Sequence, residues 1–379
     1  MTDEPKIPPT VPSYGAGTLA DLATSLLASL GMSREPNPLG LLETSRVCLL
    51  IVDGLGWELL RDHPAAAPFL SELGVTGRAL TSGFPSTTVT SLASLGTGRP
   101  PGAHGMLGYQ VAVPGTGRLL NGLRWDDRVD PVTWQPEPTV YERAAAAGIG
   151  AYRVAPGAFR NTGLTVATGR GADYRPADTM GALIAQAEAA MREAETALVT
   201  VYHGGLDATG HVFGAGSDAW YYELGHVDKL AEQLASALPP GTLLYVTADH
   251  GMVDISPAGR VDADAVTDLR KGVALLGGEP RARHVYAEPG AAGDVLAAWR
   301  DVLGEHAWVV SRDEAVADGW FGPVQPAMAA RIGDVVAAAA GGTAIVATQA
   351  EPRESVLIGM HGSLTTAEQL VPLLVHQVM

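Results

Sequence analysis

The stretch Val47-Cys48-Leu49-Leu50-Ile51-Val52-Asp53-Gly54 decides the fold. A short, unbroken apolar run that stops at Asp-Gly reads as a strand covered on both faces, closing in a turn. The pattern returns at 197–202, followed by His203-Gly204-Gly205, and at 243–247, followed by Ala248-Asp249-His250-Gly251. Between these two runs, 218–238 carries Leu224, Val227, Leu230 and Leu234 at three- and four-residue spacing, the stripe of an amphipathic helix. The patterning predicts further helices at 291–303, 328–340 and 366–375, and another strand-like run at 355–359. Strands alternating with helices imply an α/β fold, a mostly parallel sheet with helices on both faces. The whole chain, 1–379, reads as one catalytic domain, and 259–342 has its own strand and helix alternation, expected to form a small cap or insertion.

Composition narrows the function. With 25 basic and 41 acidic side chains the net charge is −16, which argues against binding a nucleic-acid polymer, since that needs a basic face. At 46% apolar and 17% charged residues the chain is a packed globular protein. The single cysteine, Cys48, excludes an intramolecular disulfide framework and a thiolate zinc cluster, so any metal must be held by His, Asp and Glu. Cys48 itself lies inside the first apolar run and reads as a small core hydrophobe. Residues 1–14 hold four prolines and no apolar run, which predicts a flexible segment without a leader-like pattern. Without a stretch of some 18 apolar residues either, the expectation is a cytoplasmic protein that does not enter the membrane.

The chemistry gathers at the strand ends, where open α/β sheets bind ligands. Asp53, Asp207, His211, Asp249 and His250 lie at or just beyond such ends, and His361 follows the run at 355–359. Asp207 and His211 are four residues apart and share one side of a helical turn. Taken singly, each of these motifs is an ordinary turn or helix cap. Together they supply enough nitrogen and oxygen ligands for two zinc-type sites. A further stretch, Phe84-Pro85-Ser86-Thr87-Thr88, runs from a turn into an apolar helix pattern and places a hydroxyl at a helix N-terminus. Free amides and the helix dipole favour an anion such as phosphate there, and a divalent metal would activate the hydroxyl as a nucleophile.

These motifs, with Gly96-Thr97-Gly98, Gly102-Ala103-His104-Gly105, Asp207-Ala208-Thr209-Gly210-His211, Thr247-Ala248-Asp249-His250-Gly251-Met252 and Gly359-Met360-His361-Gly362, resemble the alkaline phosphatase superfamily. The similarity is to its type I phosphodiesterase/nucleotide pyrophosphatase branch and keeps the order of motifs across about 47–361. It implies an alkaline-phosphatase-like core with two zinc ions. Asp53, Thr88, Asp249 and His250 would hold one ion, and Asp207, His211 and His361 the other. The implied nucleophile is Thr88 rather than Thr87, because the family's nucleophile stands nine residues before the Thr of the next Thr-Gly, here Thr97. The implied reaction is in-line transfer of a phosphoryl group from a small phosphate ester, through a covalent phosphothreonine.

Two positions depart from the nucleotide-hydrolysing pattern. Where relatives carry an aromatic and an asparagine after the nucleophile, this chain has Val89 and Ser91. Ser91 is expected to offer a shorter hydrogen bond to phosphate, and base stacking would fall to Tyr109, Trp125 or Tyr141. Phosphonoacetate-type or phosphomonoester hydrolysis stays open on the same metal core, as do a manganese phosphomutase and a non-catalytic metal-binding scaffold. Of the remaining candidates, His104 reads as structural, His203 as a neighbour of the ligands, His226 as a surface residue and Trp57 as core.

Overall fold

The computed structural model describes residues 8–379. Its main sheet has seven strands: β1 (Arg46–Val52), β2 (Arg78–Thr81), β3 (Gly150–Ala155), β4 (Asp173–Pro176), β5 (Ala197–His203), β6 (Leu243–Thr247) and, near the chain end, β11 (Leu370–Gln377). Their order is β2-β11-β6-β1-β5-β3-β4. β1 lies between β5 and β6, parallel to both, and only β11 runs against its neighbours. The sequence reading of β1 as doubly covered holds, since Val47, Leu50 and Val52 are fully buried. Each such side chain contributes about 1.5–3 kcal/mol of hydrophobic stabilisation. The parallel β6-β1-β5 core carries the three strand ends Thr247, Val52 and His203 to one edge.

Four helices matter for the site: α1 (Thr88–Thr97), α2 (Gly163–Gly169), α3 (Gly205–Phe213) and α4 (Asp218–Ala237). In α4 the predicted stripe Leu224, Val227, Leu230 and Leu234 is buried, as its spacing requires. The helix at Ala292–Leu303 also follows the predicted pattern.

Two predicted helices are mainly strands. At 328–340 the chain makes a short helix, Pro326–Ala329, and then β10 (Val335–Ala339). Gly333 lies in the turn between them, where a Cβ would stand 2.5 Å from the Val285 amide nitrogen. The alanine-rich strand is paired on both sides, and this pairing overrides alanine's helical preference. At 366–375 only Thr366–Gln369 is helical before β11 fills the gap between β2 and β6. The strand-like run at 355–359 is a 3-10 turn, Glu354–Val356, leading into a two-residue strand, Gly359–Met360.

The segment 259–342 builds a second, antiparallel sheet in the order β7 (Val273–Glu279), β8 (Ala282–Ala287), β10, β9 (Ala307–Ser311). Trp299, Leu303, Val285 and Val335 form a separate core beneath it. Its two ends meet: Arg260–Asp262 pairs with Ala344–Val346, and a Cβ on Gly259 would lie 2.2 Å from the Gly342 carbonyl oxygen. Buried ion pairs Arg281–Glu368 and Arg283–Glu351 tie it to the main body. Of the N-terminal segment expected to be flexible, 1–7 lies outside the described residues. Its remainder is anchored, with the Thr10 amide donating to Leu364 O and the Tyr14 hydroxyl to Trp320 O. Among the described residues no helix is long and apolar enough to cross a membrane.

Candidate active site

Asp53 follows directly on β1, with its amide bonded to His203 O at the end of β5. Gly54 then turns the chain at φ +76°, and its amide donates to Asp249 Oδ1 at 3.1 Å. A Cβ on Gly54 would lie 3.1 Å from Asp207 Cα, so glycine serves both the turn and the close approach of α3. Asp207 and His211 stand four residues apart on α3, with Oδ2 and Nε2 3.3 Å apart. His361 arrives from the loop after Gly359–Met360, and its ring stacks on that of His250 at 3.5 Å between centroids. Thr88 begins α1, with Oγ1 3.3 Å from His250 Nε2. Thr87 caps this helix without a side-chain hydrogen bond, so the first-turn amides keep donor capacity for an anion.

All six candidate ligands and Thr88 therefore meet in one place, and the donor set fits metal binding. Each histidine has Nδ1 engaged by a backbone carbonyl: His211 with Gly359 O, His250 with Gly251 O and His361 with Ser86 O. That bond fixes the tautomer and leaves Nε2 free as a ligand atom. Asp53 Oδ1, Asp207 Oδ1 and Asp249 Oδ2 are buried with no hydrogen-bond partner, an arrangement that a bound cation would resolve. Two groups have ligand atoms within 4.8 Å of one another: Asp207, His211 and His361, and Asp53, Asp207 and His250. Asp207 thus stands between both groups, while Asp249 lies beside His250 with Oδ2 3.5 Å from its Nε2.

The electrostatics agree. Burial, then repulsion from Asp207, pushes the Asp53 carboxyl up to about 7, and burial with the Asp53 charge raises Asp249 as well. For Asp207, burial acts upward but is outweighed by the imidazoles of His211, His361 and His250, which hold it below the ordinary carboxylate range. Three carboxylates held close together away from bulk solvent repel, and divalent cations would remove that conflict.

Two lobes flank Thr88 and share Thr88, Leu123 and Asp207. The first, about 550 Å³, is largely apolar, with Leu92, Phe159, Leu164 and Leu183 in its wall. The second, about 270 Å³, is lined by Tyr109, Arg124, Glu279, Arg353, Leu357 and His361 among others. Val89 is buried and presents no platform for a base.

Several expectations change. Ser91 is fully buried, its Oγ 2.8 Å from Ser82 Oγ, which in turn donates to Asp249 O, so its hydroxyl does not reach the cleft. Tyr141 is buried with its hydroxyl on Thr200, and Trp125 is packed against Gly163 with Nε1 donating to Val129 O, so neither offers a stacking face to the cleft. Tyr109 does line the second lobe, its hydroxyl donating to Glu354 at 3.2 Å. His104 bridges Ser94 and the Met106 amide in the interior, His203 meets Glu223 at 3.1 Å, and His226 is exposed. Trp57 is half-buried against the core, and Cys48 is buried.

Sequence reasoning missed Tyr202, whose hydroxyl donates to Asp53 Oδ2, and Glu279, a buried carboxyl with Oε2 3.9 Å from His361 Nδ1. Tyr202 stands five residues before Asp207 at the end of an apolar strand, so a polar-tipped aromatic at a strand end was the available signal. Glu279 closes a strand of the second sheet, and nothing local marks it.

Comparison with curated proteins finds no match. Among solved structures, murine ectonucleotide pyrophosphatase/phosphodiesterase 5, as an inactive variant in complex with AMP, superposes with a TM-score of 0.70 at 19% identity, covering 87% of each chain. The human protein of that name gives 0.70 at 20%, again over 87% of each. Phosphonoacetate hydrolase from Sinorhizobium meliloti, with phosphonoformate bound, gives 0.65 at 20% over 88% of this chain and 90% of the other. The family model described as type I phosphodiesterase/nucleotide pyrophosphatase matches residues 47–364, from the first strand to just beyond the last histidine of the site. The chain belongs to the type I phosphodiesterase/nucleotide pyrophosphatase family of phosphoric ester hydrolases.

Proposed function

We propose that this protein hydrolyses a small phosphodiester or nucleotide pyrophosphate, with two zinc ions as cofactors and Thr88 as nucleophile. The carrying observation is the convergence of three orphaned carboxylate oxygens and three inward-facing imidazole Nε2 atoms around a hydroxyl at a helix N-terminus. Asp53, Asp249 and His250, with Thr88, would hold one ion, and Asp207, His211 and His361 the other. Asp207 is also placed to face both. When bound, the ions supply Lewis-acid activation and offset the negative charge of the ester.

The remaining steps belong to the chain. Thr88 Oγ forms a bond to phosphorus as the leaving ester oxygen departs, and the amides of the first turn of α1 hold a non-bridging oxygen. Water then cleaves the phosphothreonine, releasing the second product and restoring the hydroxyl. Tyr202 keeps Asp53 oriented throughout. Two lobes meeting at Thr88 suit an ester with two organic groups, which favours a diester over a monoester. The net charge of −16 supports a small ester over a nucleic-acid polymer. A cytoplasmic location belongs to the same reading, and cell fractionation tests it.

Acid-quenched turnover of bis-4-nitrophenyl phosphate should yield Thr88-phosphorylated peptide by mass spectrometry, with two equivalents of zinc in the purified protein. Thr88→Ala retaining wild-type hydrolysis would overturn the proposal. A second reading, phosphonoacetate-type hydrolysis, draws support from the buried Val89 and Ser91, which leave out two contacts expected in nucleotide hydrolysis. A panel of 4-nitrophenyl phosphate, its bis ester, the thymidine 5′-monophosphate nitrophenyl ester and phosphonoacetate separates the readings.

A further inference from the structure

Arg153 is the buried arginine of the site region without a counter-charge. It projects from β3, is 8% exposed, and lines the first lobe together with Asp53 and Thr88. Its Nη1 donates to Thr168 Oγ1 at 3.0 Å, and among the described residues no carboxylate pairs with it. The other deeply buried arginines face a carboxylate or a ring: Arg281 pairs with Glu368, Arg283 with Glu351, and Arg331 lies 3.7 Å over the Trp134 ring while bonding Gly105 O and Trp134 O. A guanidinium carries five donors in a fixed fork, and burying one unpaired is costly. None of the Arg153 nitrogens is sealed away without a partner, and the side chain lines the lobe. The wall around it supplies the hydroxyl-bearing Thr162, Thr165 and Thr179 amid apolar side chains.

We infer that Arg153 is a specificity residue that receives an anionic group, such as a carboxylate or a second phosphate, carried on the organic part of the ester in the first lobe. The inference rests on the reading of the cleft as a phosphate-ester site, and it adds that the preferred ester bears a second negative charge remote from the reacting phosphorus. In an apolar lobe a charge-assisted, two-pronged contact to a guanidinium is strong and selective. The exposed Asp178 on the same lobe, whose Oδ1 accepts from the Gly157 amide at 2.8 Å, opposes an incoming anion and narrows where it can sit.

The test compares binding of non-hydrolysed probes to the zinc-loaded full chain by calorimetry. The probes are benzylphosphonate, 4-carboxybenzylphosphonate and its longer 4′-carboxybiphenylmethyl counterpart. With at least one linker, the carboxylate is expected to tighten binding about tenfold or more. Arg153→Gln should reduce that gain to threefold or less, Arg153→Lys should keep part of it, and Asp178→Asn should increase it. Asp178 is exposed, so its variant keeps the test decisive if Arg153→Gln fails to fold. Equal binding of carboxylated and plain probes by the wild type would overturn the inference. So would a gain that survives Arg153→Gln, or a loss equal for all probes, which would place the guanidinium on the phosphonate itself. Turnover of bis-4-nitrophenyl phosphate, measured in parallel, judges the catalytic reading separately: no turnover with the carboxylate gain intact defeats that reading and leaves Arg153 an anion receptor.

Discussion

Tyr202→Phe removes one hydroxyl and should weaken zinc binding while sparing the fold. The hydroxyl donates to Asp53 Oδ2, which leaves Oδ1 as the unpartnered atom 3.3 Å from His250 Nε2. Phenylalanine keeps the ring and its edge contact with Phe159, centroids 6.1 Å apart, so packing is preserved. A hydrogen bond to a charged acceptor contributes about 1.5–3 kcal/mol, and every 1.4 kcal/mol or so is a factor of ten. Without it the carboxylate can turn and hold a proton more tightly, because this bond acts to lower the Asp53 carboxyl against the upward push of burial. Competition with a zinc-chelating dye should therefore show about a tenfold to hundredfold loss of affinity at one site, in the range expected for a partner behind a metal ligand. Hydrolysis should recover substantially when zinc is raised to compensate. Unchanged zinc affinity, or an activity defect that excess metal does not correct, would refute the assignment of Tyr202 as the residue that orients Asp53.

Other consequences are as direct. Ser91→Ala should leave kcat/KM within about threefold and lower stability by about 1 kcal/mol in urea unfolding, since Ser91 bonds Ser82 and not the cleft. Gly54→Ala should cost 1–2 kcal/mol or so from its left-handed φ and, by pressing on Asp207, cut bound zinc in metal analysis. His284 is buried and neutral, accepting from the Gly333 amide and donating to Leu107 O, and burial takes its imidazole down to about 4. The unfolded chain therefore binds the extra proton between pH 6.5 and 4, so stability rises with pH across that window; on acidification His284 alone removes about 3 kcal/mol. Urea midpoints measured from pH 7 to 4 should fall accordingly, and His284→Gln should flatten the slope.

How much of the fold the sequence carried depended on who decides each element. β1 and α4 were legible because their burial pattern is their own: an apolar run for a doubly covered strand, a three-four stripe for a one-sided helix. β10 and β11 were read as helices because alanine and leucine favour that state locally, while their pairing partners lie 24 or more residues away in sequence.

The same contrast divides the site. The proposed metal chemistry calls for carboxylate and imidazole at the ends of particular strands, with glycine where chains crowd, and Asp53, Asp207, His211, Asp249, His250 and His361 leave short marks of that kind that reinforce one another. The groups that line the two lobes come from scattered segments: Phe159 from the turn after β3, Leu123 from the loop after the 118–121 strand, Glu279 from the second sheet, and Arg153 from the middle of β3. A recognition wall can be built from many residue types in many places, and an arginine in a strand announces nothing until the fold shows that no carboxylate answers it. The cluster of candidate ligands is thus legible from the sequence and the lining of the lobes is not, because only the first follows a pattern that coordination chemistry would impose. If Arg153 receives a substrate anion, the loss of selectivity in Arg153→Gln should come without loss of bound zinc, which separates the two kinds of residue in a single protein.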